Sequence, residues 1–293
     1  MNAPFVKPYI KNEKDGWLEI GGAEDFSVFR TFDCGQCFRF APPAAPQLPE
    51  QVDGVAFGKK VSFAGHDGTL FVRSSPEDFE NIWRSYLDLD TDYSAISEFV
   101  VSALPDGGGR EHMKKAAEAS RGIHILRQDS WEALCSFIIS QNNNIPRIRK
   151  IIAAMSAAYG DDLVGDYAFP KPQALSDAGE DAIFALRTGF RAKYIADAAE
   201  KVSSGKLSVD MVNACKSYGE AEELLCTVKG VGPKVAACTL LFGFGRKDAF
   251  PVDVWIKKVI ANRFPDGLDP SVFGAFAGVA QQYLFYYERY IGG

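Results

Sequence analysis

Short apolar runs separated by polar residues occupy residues 17–75, and helical spacing takes over from residue 77 onward. Val55-Ala56-Phe57, Val61-Ser62-Phe63 and Leu70-Phe71-Val72 have the β-branched and aromatic character of strands. Gly58 separates the first two, and His66-Asp67-Gly68 is a hairpin signal between the last two. Residues 77–103 read as helix, and the Pro/Gly-rich stretch 104–109 as a loop or boundary. Asp129 and Glu132 form a capping box for a helix reaching about Ser140. Its Trp131, Leu134, Cys135 and Ile138 leave almost no polar face, so this helix should be central and buried. Pro146 starts the next helix. The Ala41–Pro49 segment, with four prolines, predicts an extended, mobile loop. The pattern predicts an α+β protein: an N-terminal antiparallel β-sheet domain with a flanking helix over 1–105, then an all-helical domain over 106–293.

Within the helical part, residues 226–253 carry the most chemical information. They run Cys226-Thr-Val-Lys229-Gly230-Val-Gly232-Pro233-Lys234, cross an apolar segment, and reach Pro251-Val-Asp253. Gly230 and Gly232 permit backbone angles that other residues avoid, which allows a tight turn. Pro233 fits the first turn of a helix, where its missing N–H costs nothing. The free N–H groups at such a helix start bind phosphate without reading sequence. This is a helix-hairpin-helix pattern over about 222–245, with Lys229, Gly230 and Gly232 as its phosphate-contact residues. An ordinary interhelical loop with an exposed lysine explains the glycines and Lys234 as well; it does not explain Pro-Val-Asp at this distance. A lysine amine can attack a sugar carbon and form a Schiff base. A fixed carboxylate can meet the positive charge that builds on a sugar as its base leaves. Lys234 could instead bind phosphate, and Asp253 could simply cap the helix that follows it.

Composition limits the possibilities. The chain has 293 residues and no apolar run of membrane-spanning length. Its first sixteen residues lack a signal-peptide core. The six cysteines offer a single Cys34-x-x-Cys37 pair, which favours unpaired thiols in a reducing cytoplasm and no metal site. The formal charge is −6, which sits awkwardly with binding nucleic acid. Its distribution does not: residues 228–258 hold six basic residues against two acidic, a local +4. Residues 141–150 and 187–193 are also basic, with no acid in either.

With these motifs in hand, the chain resembles the helix-hairpin-helix DNA glycosylase superfamily. Further motifs in the same order narrow the resemblance to the 8-oxoguanine DNA glycosylases: Cys34-Gly35-Gln36-Cys37-Phe38-Arg39, Leu126-Arg127-Gln128-Asp129, Gln141-Asn142-Asn143-Asn144-Ile145, Gly189-Phe190-Arg191-Ala192-Lys193-Tyr194 and Ala277-Gly278-Val279-Ala280-Gln281. The resemblance covers the chain from about residue 16 to its end. There is no C-terminal four-cysteine cluster of the kind found in the iron–sulfur relatives.

The resemblance implies a bifunctional enzyme that excises 8-oxoguanine opposite cytosine from duplex DNA and cleaves the abasic site by β-elimination. It makes Lys234 the nucleophile and Asp253 the stabilising carboxylate. The Gly35 carbonyl would accept the N7 proton that 8-oxoguanine has and guanine lacks. Gln281 would take the Watson–Crick edge, and Cys238 and Phe285 the two faces of the base. Asn142 would fill the gap left by the flipped base, Phe190 would act as a wedge, and Arg147 and Arg191 would read the estranged cytosine. Phosphate contact for either arginine, and plain helix core for Cys238 and Phe285, are the competing readings. Trp255 stands where eukaryotic members commonly have histidine, so that histidine's role does not transfer. No metal or organic cofactor is called for; the partner is double-stranded DNA, with no membrane and the protein a monomer. The compartment would be the cytoplasm, with the nucleoid in a prokaryote, or the nucleus in a eukaryote. An alkylated-base glycosylase keeps the aspartate without the lysine, and a non-catalytic DNA-binding module would need the hairpin alone. Lys234, Asp253, Gln281 and the asparagine run together disfavour both.

Overall fold

The computed structural model describes residues 5–292; residues 1–4 and 293, the outer ends of the two expected domains, lie outside the described part. Six strands form one antiparallel sheet in the order β1-β2-β6-β5-β4-β3. They are β1 (Tyr9–Lys14), β2 (Trp17–Gly21), β3 (Phe40–Ala41), β4 (Val52–Ala56), β5 (Lys59–His66) and β6 (Thr69–Arg73). The three expected apolar runs fall in β4, β5 and β6, with Phe57 displaced into the β4–β5 turn. Phe57 and Gly58 (φ 51° and 67°) and Asp67 and Gly68 (φ 48° and 73°) make two-residue turns with both residues left-handed. Asp15-Gly16 makes a third such turn, joining β1 to β2. Strand β1 escapes a hydrophobic reading because its YIKNEK sequence is almost wholly exposed. The charged edge also discourages pairing with another chain. The proline loop is tied to the sheet: Gln47 accepts from Trp17 Nε1 at 3.2 Å and Arg73 Nη1 at 3.1 Å.

The helices that matter for the site are α1 (Tyr93–Ser102), α2 (Gly108–Ala119), α3 (Ser130–Ser140), α4 (Ile145–Tyr159), α5 (Ala192–Ser203), α6 (Tyr218–Cys226), α7 (Pro233–Gly243), α8 (Val254–Arg263) and α9 (Ala277–Tyr286). The helix expected over 77–103 is interrupted between Tyr86 and Tyr93, where Asp88 takes φ 51°. Helix α3 is the central one: every residue from Ala133 to Ile139 is buried. Asp129 caps it by accepting from Glu132 N at 2.8 Å, but the Glu132 carboxylate pairs with Arg39 at 3.4 Å, so the capping box is formed on one side only.

Two cores divide the molecule. One packs the sheet against Phe79, Trp83, Tyr86 and Leu87; the other gathers the helices from Tyr93 onward. The segment after β2 joins them, because Cys34 and Phe38 are buried in the helical core and Cys37 in the sheet core. That crossing carries Gly35 from the sheet half into the helical half.

Candidate active site

The hairpin is built from α6, a turn and α7. Val228 and Val231 are buried in the turn, and Gly230 takes φ 76°. A Cβ on Gly230 would lie 2.4 Å from the Tyr194 ring, so both the angle and the packing require glycine there. Gly232 differs from the expectation. It is the extended N-cap of α7 (φ −111°) and has open space where a Cβ would sit. Its use is to leave the helix start uncovered, not to supply a left-handed angle. Lys229 exposes its side chain and anchors its backbone N–H on Asp197 at 2.7 Å. Pro233 then opens α7, which places Lys234 in the first turn.

Beyond this helix start lies a cleft of about 780 Å³. Its walls bring together Gly35, Asn142, Gly232, Lys234, Cys238, Asp253, Gln281 and Phe285 from five separate parts of the sequence. The Lys234 side-chain nitrogen sits 5.6 Å from the Phe137 ring centroid and neighbours the Cys238 thiol one turn later. Burial pushes that thiol above the ordinary cysteine range, and the neighbouring Lys234 charge partly opposes the shift. Asp253 is the N-cap of α8. Its Oδ1 accepts from Trp255 N at 3.0 Å and Ile256 N at 2.9 Å, which leaves Oδ2 outside the cap.

The base-reading candidates converge as well. Gln281 is 4% exposed, and its Oε1 has no hydrogen-bond partner among the described residues. An unpaired buried amide oxygen costs on the order of 1–3 kcal/mol unless something fills it. Gly35 (φ 81°) lies against Phe285, whose ring would be 3.5 Å from a Cβ at that position. Two residues of this wall had no signal in the family motifs. Gln282 is buried and donates to the Cys34 carbonyl at 3.0 Å. Arg289 lays its guanidinium over Phe285 at 5.5 Å.

The three asparagines separate by task. Asn143 donates to Ile139 O at 3.0 Å at the end of α3, and Asn144 caps α4 by accepting from Arg147 N at 3.0 Å. Asn142 does neither: it is exposed, left-handed (φ 46°), and lines the cleft. Arg147, Phe190, Arg191, Lys229 and Gly230 lie outside the cleft walls. Arg191 is only 2% exposed and gives its donors to backbone carbonyls, those of Gln141 and Asn142 at 2.8 and 2.9 Å and of Thr188 at 3.1 Å. It therefore holds the Asn142 loop. Phe190 is 49% exposed beneath that guanidinium, 4.4 Å from it. Arg147 is exposed and reaches the Arg187 carbonyl at 3.4 Å.

All six cysteines are free thiols. Among the described residues no helix is long and apolar enough to cross a membrane, and no His/Cys/Asp/Glu group could hold a metal.

Two family models cover consecutive parts of the chain. Residues 21–134 match the 8-oxoguanine DNA glycosylase N-terminal domain, and residues 135–265 match the HhH-GPD superfamily of base excision DNA repair proteins. Together with the hairpin and the lysine–aspartate cleft, they define a base-excision protein of the helix-hairpin-helix class. The OGG1 N-glycosylase/DNA lyase of Arabidopsis thaliana is 30% identical over 282 residues, 89% of this chain and 73% of that protein. The 8-oxoguanine glycosylase/lyase of Clostridium acetobutylicum, solved with double-stranded DNA containing cytosine opposite 8-oxoG, superposes with a TM-score of 0.86. It is 34% identical and the match covers 97% of this chain and 99% of that one. The chain belongs to the 8-oxoguanine DNA glycosylase family. The N-glycosylase/DNA lyase of Saccharomyces cerevisiae is 36% identical over 154 residues, which span 47% of this chain and 41% of the yeast protein.

Proposed function

We propose that this protein excises 8-oxoguanine opposite cytosine from duplex DNA and then cleaves the strand at the abasic site. The observation that carries the reading is the convergence of Lys234, Asp253, Gln281, Cys238, Phe285 and Gly35 on one cleft. A base inside the duplex is out of reach, so the damaged nucleotide is flipped into this cleft and Asn142 takes its place in the stack. The base lies between Cys238 and Phe285. Its Watson–Crick edge meets the unpaired Gln281 amide, and its N7–H meets the Gly35 carbonyl. Guanine would set its N7 lone pair against that carbonyl, a clash of acceptors worth on the order of 1–3 kcal/mol.

The Lys234 side chain, once its ammonium proton has gone to solvent, forms a bond from Nζ to C1′ as the C1′–N9 bond breaks, and the base departs with a proton. Asp253 meets the positive charge on the sugar in that transition state. The amine loses its proton, the sugar ring opens to an imine, loss of a C2′ proton expels the 3′-phosphate, and water releases the lysine. The turn N–H of Gly230 and the N-cap N–H of Gly232, with the Lys229 side chain, hold the phosphate backbone; Arg147, Arg191 and Phe190 act on the opposite strand or at the gap. Arg191 must release the Gln141 and Asn142 carbonyls to do so. For location we infer the compartment that holds the DNA: cytoplasm and nucleoid, or nucleus. The test is single-turnover excision with borohydride trapping on duplexes carrying 8-oxoguanine opposite each of the four bases. Fastest release and trapping opposite cytosine is expected; release without a trapped adduct opposite any base would remove the lyase half of the reading.

A further inference from the structure

Gly35 stands between two carbonyls that are already engaged. The Cys34 carbonyl accepts from Gln282 Nε2 at 3.0 Å, and the Gln36 carbonyl accepts from Gln128 Nε2 at 2.6 Å. The Gln36 side chain is fixed too: it donates to Thr31 O and His124 O, each at 2.9 Å, and accepts from Leu126 N at 2.9 Å. Between them the Gly35 carbonyl has no donor among the described residues.

We propose that Gln282 and Gln128 are positioning residues that fix which way the Gly35–Gln36 peptide faces, and thereby set the preference for 8-oxoguanine over bases lacking an N7 proton. The proposal rests on the reading of Gly35 given above. A peptide unit is a rigid plane, so its carbonyl and the following N–H point to opposite sides. Turning the Gly35–Gln36 plane right over would carry φ of Gln36, a residue now at negative φ, into the left-handed region, so the plane tilts and does not turn over. Its tilt follows the planes on either side. A tilt takes the Gly35 carbonyl out of line with N7. It then loses the N7–H of the lesion and no longer clashes with the bare N7 acceptor of guanine. The two glutamines hold the planes on either side and leave the middle one no slack. Gln282 also neighbours Gln281 on α9, so one buried helix aims the reader of the Watson–Crick edge and steadies the reader of N7.

The experiment compares wild type, Gln282→Met and Gln128→Met, which remove each donor while keeping chain length. Three rates are measured: excision of 8-oxoguanine, excision of 7-deaza-8-oxoguanine, and β-elimination at a preformed abasic site. In both variants the ratio of the first two should fall on the order of tenfold, the value of about one hydrogen bond. The abasic-site rate should stay within about twofold, since no base is read in that step. An unchanged ratio in both variants overturns the proposal, and so does an equal fall in all three rates, which marks a fold defect. A wild-type enzyme that already treats the two bases alike would instead defeat the reading of Gly35 itself.

Discussion

Asp253 takes both of its N–H bonds at one carboxylate oxygen, so an amide in its place keeps the cap of α8. Asp253→Asn is therefore expected to shift stability by no more than about 1 kcal/mol, while excision falls by several powers of ten as the transition-state charge goes unmet. Thermal denaturation and single-turnover excision together check this. Excision within a few-fold of wild type would reduce Asp253 to a cap. At this scale the sequence was legible where chemistry forces identity: Lys234, Asp253 and Gln281 all line the cleft. It was less legible where one residue type serves several ends. The asparagine run read as a unit, and all three line the cleft, yet Asn143 and Asn144 spend side-chain atoms on helix ends and Asn142 does not. Arg191 is likewise committed to carbonyls that no motif foretells. Gln282 was invisible because its partner, the Cys34 carbonyl, lies 248 residues away.

Elements with strong local signals were read correctly, and those set by tertiary packing were not. The Asp-Gly turn and the apolar α3 follow from spacing alone. Strand β1 has no apolar face to show, and the break between Tyr86 and Tyr93 holds Asp88, which is buried and pairs with Arg127 and Lys247 far along the chain. The half-formed capping box of α3 has a measurable consequence. Burial pushes the Glu132 carboxyl up to about 7, with Arg39 opposing the shift in part. The unfolded chain ionises this group near 4.5, so between those values the folded state holds a proton the unfolded state has lost. The associated stability is whole below 4.5 and is lost as pH rises through about 7. Relative to Glu132→Gln, the wild type should lose on the order of 2–3 kcal/mol between pH 5 and pH 8. Urea unfolding of both proteins across that range measures it. A stability difference that stays flat with pH would mean Glu132 remains ionised in the folded protein.

For the whole molecule, the two cores are tied through a buried charge. Asp88 accepts from Tyr93 Oη at 2.7 Å, pairs with Arg127 at 2.8 Å and with Lys247, and Lys247 also donates to Thr91 at 2.9 Å. The Lys247 carbonyl in turn accepts from Gly278 N at 2.7 Å at the start of α9. Removing one partner of a buried pair leaves the other uncompensated, so Asp88→Asn should cost about 3–5 kcal/mol in denaturant unfolding. A loss below about 1 kcal/mol would class the contact with ordinary surface pairs. We propose that the expected units, 1–105 and 106–293, meet at α1, which packs into the helical core although it precedes residue 105. The net charge of −6 did not reveal the binding face, because the local excess of basic over acidic residues at 228–258 and 141–150 is outweighed by the acidic remainder of the chain. The most direct test of the whole arrangement is to locate the covalent intermediate. Borohydride reduction during turnover on an 8-oxoguanine duplex, followed by peptide mass spectrometry, should find the deoxyribose remnant on Lys234 and lose it in Lys234→Gln, with duplex binding retained. A remnant on another amine, or wild-type trapping by Lys234→Gln, would contradict the assignment of Lys234 as the nucleophile.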